Sequence, residues 1–83
     1  MRVLYFAWLK SRVGLAEEEV SPPAEVTTVG ELATWLAGRS PGHAAAFAET
    51  RVVRAAPDQE FVRFDHPIAG AVEIAFFPPA TAG

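Results

Sequence analysis

The 83 residues are 51% hydrophobic and carry a formal net charge of −3, which describes one small domain too apolar to stay disordered. The absence of cysteine excludes a disulfide framework, a zinc-thiolate or iron–sulfur site and a catalytic thiol. The acidic balance argues against a general nucleic-acid binder.

A chain of this length sits near break-even between burial and conformational entropy. Domains below roughly 70–80 residues commonly rely on a disulfide, a metal or a partner. Only His43 and His66 offer imidazoles, and neither has a companion at ligand spacing, so both are read as structural or solvated and no metal site is expected. The longest large-apolar run, Val3 to Leu9, is well short of the ~20 residues needed to span a bilayer. Lys10 and Arg12 follow it without a cleavage pattern. The sequence therefore predicts no membrane segment, no signal peptide and a cytoplasmic location.

The first predicted element is a strand over 2–9, rich in β-formers and free of Gly and Pro. Arg2, Leu4, Phe6, Trp8 and Lys10 share one face; Val3, Tyr5, Ala7 and Leu9 share the other. Charges bound the first set, so it is the expected outer face. Gly14 marks a turn, and 17–20 reads as an edge strand ended by Pro22-Pro23, with the Glu17-Glu18-Glu19 run solvated. Thr28-x-x-Glu31 is a capping box opening a helix over 29–37. Val29, Leu32, Trp35 and Leu36 form its buried stripe, and Gly38 stands where a left-handed C-terminal residue is usual. Ser40-Pro41 reads as an N-cap followed by Pro at the first helical position, starting a short helix over 43–49 anchored by Phe47.

Three further strands are predicted over 51–56, 61–64 and 71–77, separated by turns at Pro57-Asp58 and Asp65-His66-Pro67. In the last strand Glu73 marks the outside, which places Ala75 and Phe77 outside and Val72, Ile74 and Phe76 inside. Hairpin, helix and returning strands make an α+β roll with one main helix on one face of a mixed sheet. The first and last strands, the most apolar, are expected side by side in its centre.

Little in the sequence suggests conventional catalysis. The glycines are scattered, so no phosphate-binding loop occurs. Asp65-His66 reads as a turn, and no Ser-His-acid arrangement follows from two histidines. The unusual feature is the stretch after Phe77: Pro78-Pro79-Ala80-Thr81-Ala82-Gly83. Pro-Pro stiffens the exit from the strand, the following side chains are small, and six extended residues reach on the order of 20 Å. Such a tail is either a frayed terminus or a narrow arm tipped with an unhindered glycine carboxylate.

Several stretches resemble a known family: Val3-Leu4-Tyr5-Phe6-Ala7, Arg54-Ala55-Ala56, Phe64-Asp65-His66-Pro67-Ile68, and Glu73-Ile74-Ala75-Phe76-Phe77-Pro78-Pro79. Together with the length and element order, they make the whole chain similar to the small subunits of molybdopterin synthase. These are sulfur-carrier proteins with the ubiquitin-like β-grasp fold. The resemblance implies a β-grasp domain over 1–77 and an extended tail over 78–83. It implies that Gly83 is adenylated and then thiocarboxylated, and that sulfur is donated to cyclic pyranopterin monophosphate to build the dithiolene of molybdopterin. Pro78, Pro79, Ala80, Thr81 and Ala82 would be the inserting arm, and Phe6, Trp8 and Phe77 the partner surface. Arg51, Arg54 and Lys10 read either as rim charges paired with a partner or as solvated charges. The implied partners are the synthase large subunit, in a heterotetramer of two small and two large subunits, and a ubiquitin-activating-like adenylyltransferase. No cofactor is expected to be bound permanently; ATP is used by the activating partner. The family usually ends in Gly-Gly, where this chain has Ala82-Gly83. A carrier for thiazole synthesis or tRNA thiolation, a ubiquitin-like protein modifier and a plain binding module are the alternatives.

Overall fold

The computed structural model describes residues 1–58 and 60–79. Four strands, β1 (Arg2–Tyr5), β2 (Glu17–Glu19), β3 (Arg54–Pro57) and β4 (Glu73–Phe77), form one sheet in the order β2-β1-β4-β3. β1 and β4 run parallel in the centre, with Val3 opposite Ile74 and Tyr5 opposite Phe76. β2 and β3 flank them antiparallel. Because side chains alternate across a strand, Val3, Tyr5, Ile74 and Phe76 all enter the inner face, where each is at most 1% exposed. Leu4, Glu73, Ala75 and Phe77 take the outer face, as the charge at Glu73 foretold.

The main helix is α2 (Val29–Ala37), with the predicted bounds. All of its first free N–H groups have acceptors. Val29 donates to the His66 carbonyl (3.0 Å), Gly30 to the Phe64 carbonyl (2.8 Å) and Glu31 to Thr28 Oγ1 (3.1 Å). The Phe64–Pro67 turn thus serves as a backbone cap, and Ile68 closes it by donating to the Thr27 carbonyl at 3.0 Å. Val29, Leu32, Ala33 and Leu36 are buried, while Trp35 is only half-buried. The second predicted helix forms as α3 (Pro41–Ala46), shorter than expected, and its Ser40 cap accepts from the His43 N–H at 3.1 Å. Phe47 ends it and meets Phe76 edge-on, with ring centroids 5.0 Å apart.

Several expectations are corrected. The opening strand stops at Tyr5 rather than Leu9, because Ala7 adopts φ 55° and the chain turns into a helix, α1 (Trp8–Val13). Leu9 and Val13 stand one turn apart on its inward side, Lys10 and Arg12 complement its C-terminal dipole, and Gly14 closes it at φ 89°. Gly38 is right-handed, not left-handed, at φ −83°. Residues 50–52 form a 3-10 turn, so the third strand starts at Arg54 and runs through Pro57. The left-handed residue of the following turn is Asp58 (φ 46°), whose carboxylate accepts from the Val72 and Glu73 N–H groups at 3.2 Å. Residues 61–64 are not a strand; Val62 makes one isolated bridge to Ala55. Val72, expected on the inner face with Ile74 and Phe76, precedes the first residue of β4 and is exposed.

α1 and α3 cross so closely that a Cβ on Gly42 would collide with the Arg12 carbonyl oxygen. A Cβ on Gly38 would meet only the Trp35 oxygen, at an ordinary 3.5 Å. In urea denaturation, Gly42→Ala is therefore expected to cost roughly 1–3 kcal/mol, whereas Gly38→Ala should stabilise by about 0.5 kcal/mol. A comparable loss at Gly38 would contradict its right-handed backbone.

Candidate functional site

Parallel pairing brings the C-terminal ends of β1 and β4 to the same end of the sheet. Phe6 leaves β1 there, its N–H donating to the Phe76 carbonyl at 3.1 Å, and its side chain is 48% exposed. β4 ends at Phe77, and Pro78-Pro79 cannot donate to a ladder. The remaining arm residues Ala80, Thr81 and Ala82, and the tip Gly83, lie outside the described residues.

Phe77 is half-buried. Its cross-strand neighbour is Arg54 on β3, and its ring lies 5.3 Å from that of Phe61. Phe61 is 80% exposed, which is unusual for a phenylalanine. A pocket of ≈ 330 Å³ opens beside these rings, lined by Arg54, Ala55, Phe61, Val62, Phe77 and Pro78. The predicted surface residues Phe6 and Phe77 are thus brought to one end of the sheet, but Trp8 is not on their strand face. It sits on α1, half-buried beneath the Arg12 guanidinium, which lies 4.4 Å from its ring. Arg54, read from the sequence as either a rim charge facing a partner or a solvated one, lies in the wall of this pocket, whereas Phe61, expected on a short strand, had no surface role assigned to it.

On the inner side, Glu18 departs from the expected solvated edge. Only Glu17 and Glu19 point outward; Glu18 turns in beside Val3, with a side chain 12% exposed. Its Oε2 accepts from the Tyr5 hydroxyl (2.7 Å) and His43 Nε2 (2.6 Å), and Arg39 lies 3.4 Å from Oε1. A carboxylate only accepts, so Nε2 is assigned as the donor, and Ser40 Oγ faces Nδ1 at 2.7 Å. Burial pushes the Tyr5 hydroxyl pKa up, and the hydrogen bond to Glu18 adds to the shift. Burial also acts to raise that of Glu18, but the hydrogen bonds from His43 and Tyr5 and the nearby Arg39 guanidinium outweigh it and hold the carboxyl below its ordinary value.

The order acid–imidazole–hydroxyl resembles a nucleophilic triad. The arrangement is structural, because Ser40 Oγ is already committed as the α3 cap and His43 is only 6% exposed. The cluster ties the edge strand β2 to β1 and α3. Asp65 and His66 do not pair: His66 is exposed, and Asp65 faces Arg63 at 3.6 Å. Among the described residues, no group of three or more His, Cys, Asp or Glu is placed to hold a metal ion, and no helix is long and apolar enough to cross a membrane.

A model of the ThiS family matches residues 3–83. The chain is 39% identical over 83 residues, its whole length and 99% of the relative's, to the molybdopterin synthase sulfur carrier subunit of Escherichia coli. Among solved structures it is similar to SAMP1 from Haloferax volcanii, with a TM-score of 0.73 at 25% identity over 100% of this chain and 98% of that one. It is also similar to a putative molybdopterin converting factor, subunit 1, from Pyrococcus furiosus. There the TM-score is 0.68 at 21% identity, covering 95% of each chain, a likeness of fold. These neighbours bear out the α+β, ubiquitin-like β-grasp expectation.

The Glu18 cluster has a measurable consequence. A carboxyl whose pKa is lower in the folded state contributes stability that is present above its unfolded value and is lost as pH falls towards the folded one. Stability should therefore drop below about pH 4.5, a value near the ordinary glutamate pKa. Glu18→Gln should cost about 2 kcal/mol at pH 7 and flatten that acid slope in urea titrations. An unchanged slope would remove Glu18 from the account.

Proposed function

The chain belongs to the ThiS family, and on that premise we propose that it is the sulfur carrier subunit of molybdopterin synthase. The full-length likeness to the Escherichia coli subunit carries this reading. The geometry supports it: β4 runs directly into a stiff Pro78-Pro79 exit flanked by exposed aromatic rings.

In this role the Gly83 carboxylate attacks the α-phosphate of ATP on an adenylyltransferase, forming an acyl-adenylate and releasing pyrophosphate. A sulfur nucleophile then displaces AMP and leaves a thiocarboxylate. Glycine keeps that carbonyl uncrowded, and the small residues Ala80 to Ala82 form a narrow arm that a partner can enclose while water is excluded. The arm delivers sulfur to cyclic pyranopterin monophosphate in the large subunit, and two such donations complete the dithiolene. Two carriers and two large subunits make the working heterotetramer. ATP serves only the activating partner, and the carrier itself holds no permanent cofactor. The work is cytoplasmic, where ATP is available. Catalysis belongs to the assembled enzyme rather than to this subunit alone.

Phe6 and Phe77 supply the apolar part of the docking surface, whereas Trp8, on α1 beneath Arg12, lies off that strand face. The likeness to SAMP1 gives a second reading, a ubiquitin-like protein modifier. The two readings part at the fate of the activated terminus.

Intact mass after incubation with ATP, the adenylyltransferase and a sulfur donor tests the carrier role. The expected product gains the mass difference between sulfur and oxygen, whereas isopeptide conjugates to lysine would favour the modifier. A full-length chain that stays unmodified would sink both. In parallel, Phe77→Asp should weaken binding of the large subunit at least tenfold, a loss of about 1.4 kcal/mol or more. Its urea midpoint should move little. Unfolding of the variant would instead make Phe77 a core residue.

A further inference from the structure

We infer that Arg54 reads a carboxylate on the partner protein that receives the arm, while an apolar side chain of that partner seats in the pocket walled by Phe61, Phe77 and Pro78. The inference rests on the proposed carrier role and names the chemistry that its docking surface selects.

The first observation is charge. Arg2 faces Glu73 and Glu17, Arg39 faces Glu18, Arg51 faces Glu49 and Arg63 faces Asp65. Arg12 stacks on Trp8 and donates to the Ala45 carbonyl. Among the described residues Arg54 has neither a carboxylate within 4.0 Å nor an aromatic ring beneath it. Its Nη1 donates to the Arg51 and Val53 carbonyls at 3.0 and 3.2 Å. Those bonds hold the guanidinium in place and leave the rest of its fork of donors for another acceptor.

The second observation is position. Arg54 is the cross-strand neighbour of Phe77 and lines the ≈ 330 Å³ pocket together with Phe61 and Pro78. A partner that takes the chain beyond Pro79 lies against Pro78 and therefore over this pocket. An apolar slot with one positioned cation at its wall matches an apolar side chain next to an aspartate or glutamate. A polyanion does not fit, because the carrier as a whole has net charge −3 and would repel it. Charge complementarity of this kind sets partner choice more than bulk affinity.

Calorimetric titration against the molybdopterin synthase large subunit, at about 50 mM and about 500 mM salt, tests the inference. Arg54→Gln should bind about tenfold more weakly at low salt, with the gap closing at high salt. Arg54→Lys should recover part of the loss, since it keeps the charge but not the fork. Phe61→Ser, at a largely exposed position, should weaken binding equally at both salts without moving the melting temperature. Wild-type affinity for a folded Arg54→Gln overturns the inference. If that variant does not fold, Arg54→Lys with wild-type affinity overturns it instead. A wild-type chain that does not bind the large subunit at all refutes the carrier reading itself.

Discussion

The parallel pairing of β1 with β4 is the constraint on which the remaining structure depends. Two strands can lie parallel only if a crossover joins them, and here the helices of that crossover cover one face of the sheet. That face holds Val3, Tyr5, Ile74 and Phe76, and helices α1, α2 and α3 with Phe47 close over it. The same pairing fixes direction. Both central strands point their C-terminal ends the same way, so Phe6, Phe77 and the Pro78-Pro79 exit gather at one end. The proposed docking surface beside that exit is therefore a product of topology.

Two local devices hold the crossover. The 64–68 turn accepts the first free N–H groups of α2, which fixes the helix against the segment leading into β4. The Phe64-Asp65-His66-Pro67-Ile68 stretch thus has a backbone role that its side chains do not advertise. The Glu18 carboxylate joins β2 to Tyr5 and His43 and replaces a solvated edge with a satisfied polar contact. Without cysteine, a chain of this size has only such packing and hydrogen bonding to specify a single arrangement.

Much of this was legible in the residues. The capping box placed α2, Ser40-Pro41 placed the start of α3, and the parity of Glu73 through Phe77 oriented the central strand. Errors arose where a local signal was outvoted. The apolar run through Leu9 reads as β, yet a turn at Ala7 lets Leu9 reach the core from a helix, and that moved Trp8 off the predicted face. Glu18 was misplaced because sequence parity does not reveal that a buried tyrosine and histidine await its carboxylate. The surface role of Phe61 was not legible, and Arg54 stayed open between a rim charge and a solvated one, because their meeting with Phe77 depends on β3 pairing with β4, a contact between distant segments.

The missing cysteine gains a positive meaning in this setting. A protein with no thiol can still carry sulfur when a glycine carboxylate at the end of a narrow arm is the carrier. The decisive measurement is a single turnover: the thiocarboxylated chain mixed with the large subunit and cyclic pyranopterin monophosphate, followed by intact mass. The account predicts that the chain returns to its carboxylate mass as dithiolene product appears. A thiocarboxylate that persists beside a competent large subunit would contradict it.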